Sequence, residues 1–141
     1  MSILRRLSLT YAAGSFGGLA NALAVWIIGY FKIAAAAGVN IAPDLTASTI
    51  YPRVVWGGLW GFMFLLPFFR NSPLLRGIIF GLVPALVALF VVFPAKAQNA
   101  LLGLHLGTMT PLFVVIYNIV WGLAASYWLH RIEEKGRIWR S

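Results

Sequence analysis

Residues 8–31 read SLTYAAGSFGGLANALAVWIIGYF, an uncharged run of 24 residues bounded by Arg5 and Arg6 on one side and Lys32 on the other. A bilayer core about 30 Å thick is crossed by about 20 apolar residues at roughly 1.5 Å each, so this run predicts a membrane-spanning helix. A secretory signal is excluded by length, because its apolar region runs about 7 to 15 residues. The span is therefore expected to be retained. Three further stretches meet the same requirement, near 51–69, 76–94 and 109–129, and they predict an all-α, polytopic four-helix bundle forming one transmembrane domain over residues 1–141.

The composition agrees. Of 141 residues 61% are hydrophobic and only 10% charged, with 11 Lys and Arg against 3 Asp and Glu. Mean hydropathy is +0.87. So few charges cannot cover the surface of a water-soluble domain, which excludes a soluble enzyme. The net charge of +8 does not point to nucleic acid, because the bases sit in short runs beside the spans, where anionic headgroups attract them. With no cysteine, disulfides and thiolate chemistry are excluded.

Four spans place both termini on one side. Arg5, Arg6, Arg70, Arg76, Arg131, Lys135, Arg137 and Arg140 then share one face against Lys32, Arg53 and Lys96 on the other, and the positive-inside rule makes both termini cytoplasmic. A bacterial inner membrane is the expected location.

Glycine is arranged in pairs four apart: Gly14/Gly18, Gly57/Gly61, Gly77/Gly81 and Gly103/Gly107, with Gly122/Ser126 as a small-residue variant. In lipid such pairs let backbones approach closely and supply much of the helix association. They predict packing seams, within the bundle or between protomers. The segment Gly14-Ser-Phe-Gly-Gly-Leu-Ala-Asn-Ala-Leu-Ala24 also resembles Gly77-Ile-Ile-Phe-Gly-Leu-Val-Pro-Ala-Leu-Val87, with five of eleven positions identical. More loosely, Pro52 and Trp60-Gly61 correspond to Pro111 and Trp121-Gly122. The expectation is two helical hairpins in parallel copies. Pro67, Pro84 and Pro111 each lack a backbone donor and are expected to kink their helices, and a cleft at Pro84 could hold a lipid, quinone or pigment.

Polar groups inside spans are the candidates for chemistry, since each needs a partner in lipid. Asn21 and Asn118 fall at similar depth in the first and fourth spans and are expected to bond to each other. Arg53 is placed about one turn inside the second span, either snorkelling to headgroups or turned inward to Asp44 or an anion. Thr108 and Thr110 complete the set of intramembrane polar contacts. His105 could serve as a lone axial ligand to a haem, but His105 and His130 lie about 37 Å apart along a continuous helix and cannot share a site.

No predicted span contains Asp or Glu. Proton or cation antiport ordinarily needs such a carboxylate, and metal-assisted headgroup chemistry needs clustered acids. The expected function is thus contact: an accessory, assembly or interaction subunit, or a homo-oligomer, packing through Gly14, Gly18, Gly57, Gly61, Gly77, Gly81 and Gly122. Membrane lipids and a larger membrane complex are the expected partners, with no cofactor and no enzymatic activity. The alternative is a small channel or uniporter for an anion or neutral solute, lined by the amides and threonines and gated near Arg53.

Overall fold

A computed structural model describes residues 2–39, 41–69, 71–92 and 109–140, with side chains in the last helix described through Glu133. Every element among them is helical. Helix α1 spans Ile3–Tyr30, and its first turn is capped by the Ser2 hydroxyl, which accepts from the Arg5 N–H at 3.2 Å. Lys32, with φ of 60°, breaks it, and α2 (Ile33–Ala36) follows as one turn. Gly38 ends that turn with φ of 78°. Its N–H donates to Ala35 O at 3.0 Å while the Val39 N–H donates to Ala34 O at 2.9 Å, the paired bonds of a Schellman stop that favours glycine at this position. Val39 is thereby pressed into a cluster with Val25, Ala34, Phe113 and Tyr117.

Helix α3 spans Ala47–Gly61. At its start the Thr49 hydroxyl accepts from the Thr46 N–H at 3.0 Å and donates to Asp44 O at 2.7 Å. It tightens into a 3₁₀ turn over Phe62–Leu65, because Pro67 pushes Leu66 out of the helical region and into extended backbone with ψ of 135°. Helix α4, Pro73–Val87, has Ser72 as its cap and proline in its first turn. It widens into a π-helical turn over Ala88–Val92. Helix α5 spans Thr110–Arg140.

Three helices, Ile3–Tyr30, Pro73–Val92 and Thr110–Glu133, are long and apolar enough to cross a membrane, which makes this a membrane protein. The span expected at 51–69 is not among them. Its α-helical part begins earlier, at Ala47, and ends at Gly61, eight residues short of the expected boundary. The prolines also differ from expectation. Pro67 lies beyond the 3₁₀ turn, and Pro111 lies in the first turn of α5, where no intrahelical donor is lost. Pro52 and Pro84 are the ones inside helices.

Helix α1 packs against α3 and α5, and α5 packs in turn against α4. A second cluster, Ala13, Phe64, Phe80, Trp121, Ala125 and Leu129, fills the bundle toward the end that carries the N-terminus. Two glycine seams set the helix pairs. On α1 and α3, Gly14 and Gly18 lie against Gly57 and the carbonyl of Arg53; on α4 and α5, Gly77 and Gly81 lie against Gly122 and the carbonyl of Asn118. In both seams the carbonyl of a glycine, Gly57 or Gly122, meets the first glycine of the facing pair, and the carbonyl four residues earlier, of Arg53 or Asn118, meets the second.

Candidate functional site

Polar side chains of the helix interiors turn toward backbone carbonyls. Asn21 Nδ2 donates to Tyr117 O at 2.8 Å, Ser15 Oγ to Val54 O at 3.1 Å, Ser126 Oγ to Pro73 O at 2.8 Å and Trp121 Nε1 to Gly14 O at 3.0 Å. Each bond crosses between helices. The helix carbonyl has a second lone pair beyond the one used along its own helix, so these donors are satisfied in an apolar interior without a titratable group.

The structure brings Asn21 and Asn118 to neighbouring positions but does not pair them. Asn21 reaches the carbonyl one residue before Asn118, while Asn118 Nδ2 turns back to Val114 O of its own helix at 2.9 Å. The reason is the seam at Gly81. A Cβ there would stand 2.6 Å from the Asn118 carbonyl oxygen, so the α5 backbone at this position faces α4 and its side chain is not directed at α1.

Arg53 is partly buried and sits nearly two turns inside α3, about 9 Å from the helix start, deeper than the single turn expected because α3 begins at Ala47. No ion pair joins it to Asp44 or to any other acid among the described residues. It lies within electrostatic reach of Tyr117, whose hydroxyl is buried and without a hydrogen-bond partner. Thr110, at 0% exposure, likewise buries an unpartnered hydroxyl. Thr108, His105 and the Gly103/Gly107 pair lie outside the described residues.

Arg76 was expected among flanking charges and is instead 5% exposed. One of its terminal nitrogens donates to Phe64 O at 2.6 Å and to Leu66 O at 3.0 Å, and its guanidinium carbon stands 5.2 Å and 5.5 Å from the ring centres of Phe64 and Phe80. These carbonyls belong to the 3₁₀ turn and the residue that ends it, where no further helical N–H follows. Arg76 therefore closes the end of α3 onto α4. The readable signal was periodicity: Arg76, Phe80 and Pro84 are four apart and share one buried stripe.

Gly17 and Gly58, which belong to none of the pairs four apart, also carry close approaches. A Cβ at Gly17 would come within 2.8 Å of the Trp121 indole Cδ1, and one at Gly58 within 2.6 Å of the Ser15 hydroxyl. Among the described residues, Gly14, Gly18, Gly57, Gly61, Gly77, Gly81 and Gly122 each lie against backbone of a neighbouring helix.

No known protein family, curated protein or solved structure matches the chain. The residues themselves carry the functional reading. Among the described residues no three of His, Asp and Glu gather as a metal site, and the polar groups described above mostly tie one helix to another. Arg53, Tyr117 and Thr110 stand apart, because none of these side chains makes such a bond.

Proposed function

We propose that the protein is a small integral membrane subunit whose work is contact with lipid and with a larger membrane complex. It would cross an inner membrane four times, as two parallel hairpins with both termini cytoplasmic. The observation that carries this reading is the commitment of Asn21, Ser15, Ser126 and Trp121 to carbonyls of neighbouring helices. Asn21, one of the groups that could line a conduction path, is instead used to join helices.

Two points support the fourth crossing and the duplication. The 15 residues of α3 and the 4 of its 3₁₀ extension rise about 30 Å together, the thickness of a hydrocarbon core. The two seams share one register, with Gly14, Gly18 and Gly57 in the first hairpin standing where Gly77, Gly81 and Gly122 stand in the second. Since those glycines are occupied within the chain, partner contact falls to outward apolar residues such as Phe16, Leu23, Leu59 and Leu86. The contact surface is thus the lipid-facing exterior and not the glycine grooves.

Native mass spectrometry of the protein extracted in mild detergent tests this. A heterologous membrane protein bound at fixed stoichiometry is the expected result. A partner-free protein that dissipates an anion gradient when reconstituted in liposomes would replace the subunit reading with the channel.

A further inference from the structure

Position 53 in the first hairpin corresponds to position 118 in the second, and the comparison isolates what is unusual about Arg53. Both residues present a backbone carbonyl to a glycine of the neighbouring helix, Arg53 to Gly18 and Asn118 to Gly81. The seam uses the backbone alone, so packing does not call for a guanidinium here. Asn118 satisfies its side chain on Val114 O. Arg53 has five donors and bonds none of them within the described structure.

The surroundings supply a second group in the same condition. Gly18, which receives the Arg53 carbonyl, is three residues from Asn21, which binds the Tyr117 carbonyl. The α1 face between them therefore sets Arg53 of α3 and Tyr117 of α5 at one level of the bundle. Tyr117 is 4% exposed, and its hydroxyl is buried with no partner. A buried hydroxyl left without a partner is costly, and so is a cation within a span unless it is paired. One anionic oxygen acceptor would answer both deficits.

We propose that Arg53 and Tyr117 form an oxyanion-binding site at the end of the bundle where α3 begins, taking a phosphate-type group. The guanidinium offers a bidentate fork to two oxygens, and the Tyr117 hydroxyl donates to one of them or to a third. The phosphate can belong to an anionic lipid headgroup or to a free anion, and the chemistry of recognition is the same. This assignment does not depend on the subunit reading, since it concerns a ligand site and not a partner surface.

The test uses the full chain in maltoside micelles, which carry no phosphate, read by its thermal unfolding midpoint. One arm titrates inorganic phosphate; the other adds phosphatidylglycerol. Stabilisation by phosphate identifies a free oxyanion as ligand, and stabilisation by phosphatidylglycerol alone identifies a headgroup. In either case Arg53→Lys, which keeps the charge and loses the fork, and Tyr117→Phe, which keeps the ring, should each weaken the apparent affinity by about tenfold, about 1.4 kcal/mol. Arg5→Gln should leave it unchanged. Stabilisation by neither probe overturns the site. So does an Arg53→Lys protein that responds as the parent does, which would reduce Arg53 to a point charge among headgroups.

Discussion

Trp121 donates its indole N–H to the backbone carbonyl of Gly14, 3.0 Å away and 107 residues earlier in the chain. The same ring lies against Gly17 and close to Gly57, so a single side chain of α5 fixes its distance to α1 and to α3. Trp56, which like Trp121 precedes a seam glycine, is 63% exposed, whereas Trp121 is 4% exposed.

That contrast predicts opposite sensitivities. Trp121→Ala should destabilise the protein by about 3 to 5 kcal/mol through the cavity it leaves. Trp121→Phe retains most of the packing and should cost about 1 kcal/mol through the missing donor. Trp56→Ala removes little packing and should stay within about 0.5 kcal/mol. Unfolding of the purified protein by a denaturing detergent, compared across the three variants, checks the ranking.

The glycine seams predict that position, more than residue type, sets the penalty for an added methyl group. A Cβ at Gly14 would stand 2.7 Å from Gly61 Cα, and one at Gly122 would stand 3.0 Å from Gly81 N. Backbone cannot move aside cheaply, so Gly14→Ala and Gly122→Ala should each cost about 3 kcal/mol or more. Gly38 has nothing within 4 Å of where its Cβ would be. Its φ of 78° alone makes Gly38→Ala unfavourable, by about 1 kcal/mol. The same detergent titration distinguishes the two classes.

The sequence made the helical class, the apolar character and the seams readable, because length, hydropathy and small-residue spacing are local properties. It placed Asn21 and Asn118 on helices that do meet, but it could not supply the rotation of α5. That rotation is set by Gly81 against the Asn118 carbonyl, a contact between two helices, α4 and α5, that no local spacing reveals. The burial of Arg76 is not legible for a related reason: an arginine at the start of a span resembles a headgroup anchor unless the 3₁₀ turn ending α3 is known to present carbonyls beside it.

Asn21 predicts a modest effect. Its amide bridges α1 to the Tyr117 carbonyl, and interhelical bonds of this kind in membranes contribute about 0.6 to 2 kcal/mol. Asn21→Leu should therefore lower stability by about 1 kcal/mol, and Asn118→Leu by less, since Asn118 bonds only within α5. Equal losses in both variants would contradict the geometry described.

Arg76 predicts the largest difference between two basic residues. Its guanidinium reaches two carbonyls, Phe64 O and Leu66 O, from one nitrogen while standing over the rings of Phe64 and Phe80. Lysine carries the same charge on a compact ammonium that lacks the planar face able to lie along a ring. Arg76→Lys should then lose part of both interactions, and hydrogen bonds to a charged group contribute about 1.5 to 3 kcal/mol each. Arg76→Lys is expected to cost about 2 kcal/mol and Arg76→Ala more, with the damage concentrated where α3 ends. Hydrogen exchange should accordingly rise at Phe64 and Leu65 in both variants before it rises at Gly14 or Gly18. An Arg76→Lys protein as stable as the parent would mean that charge alone holds the 3₁₀ turn to α4, and the paired-carbonyl account of this corner would have to be abandoned.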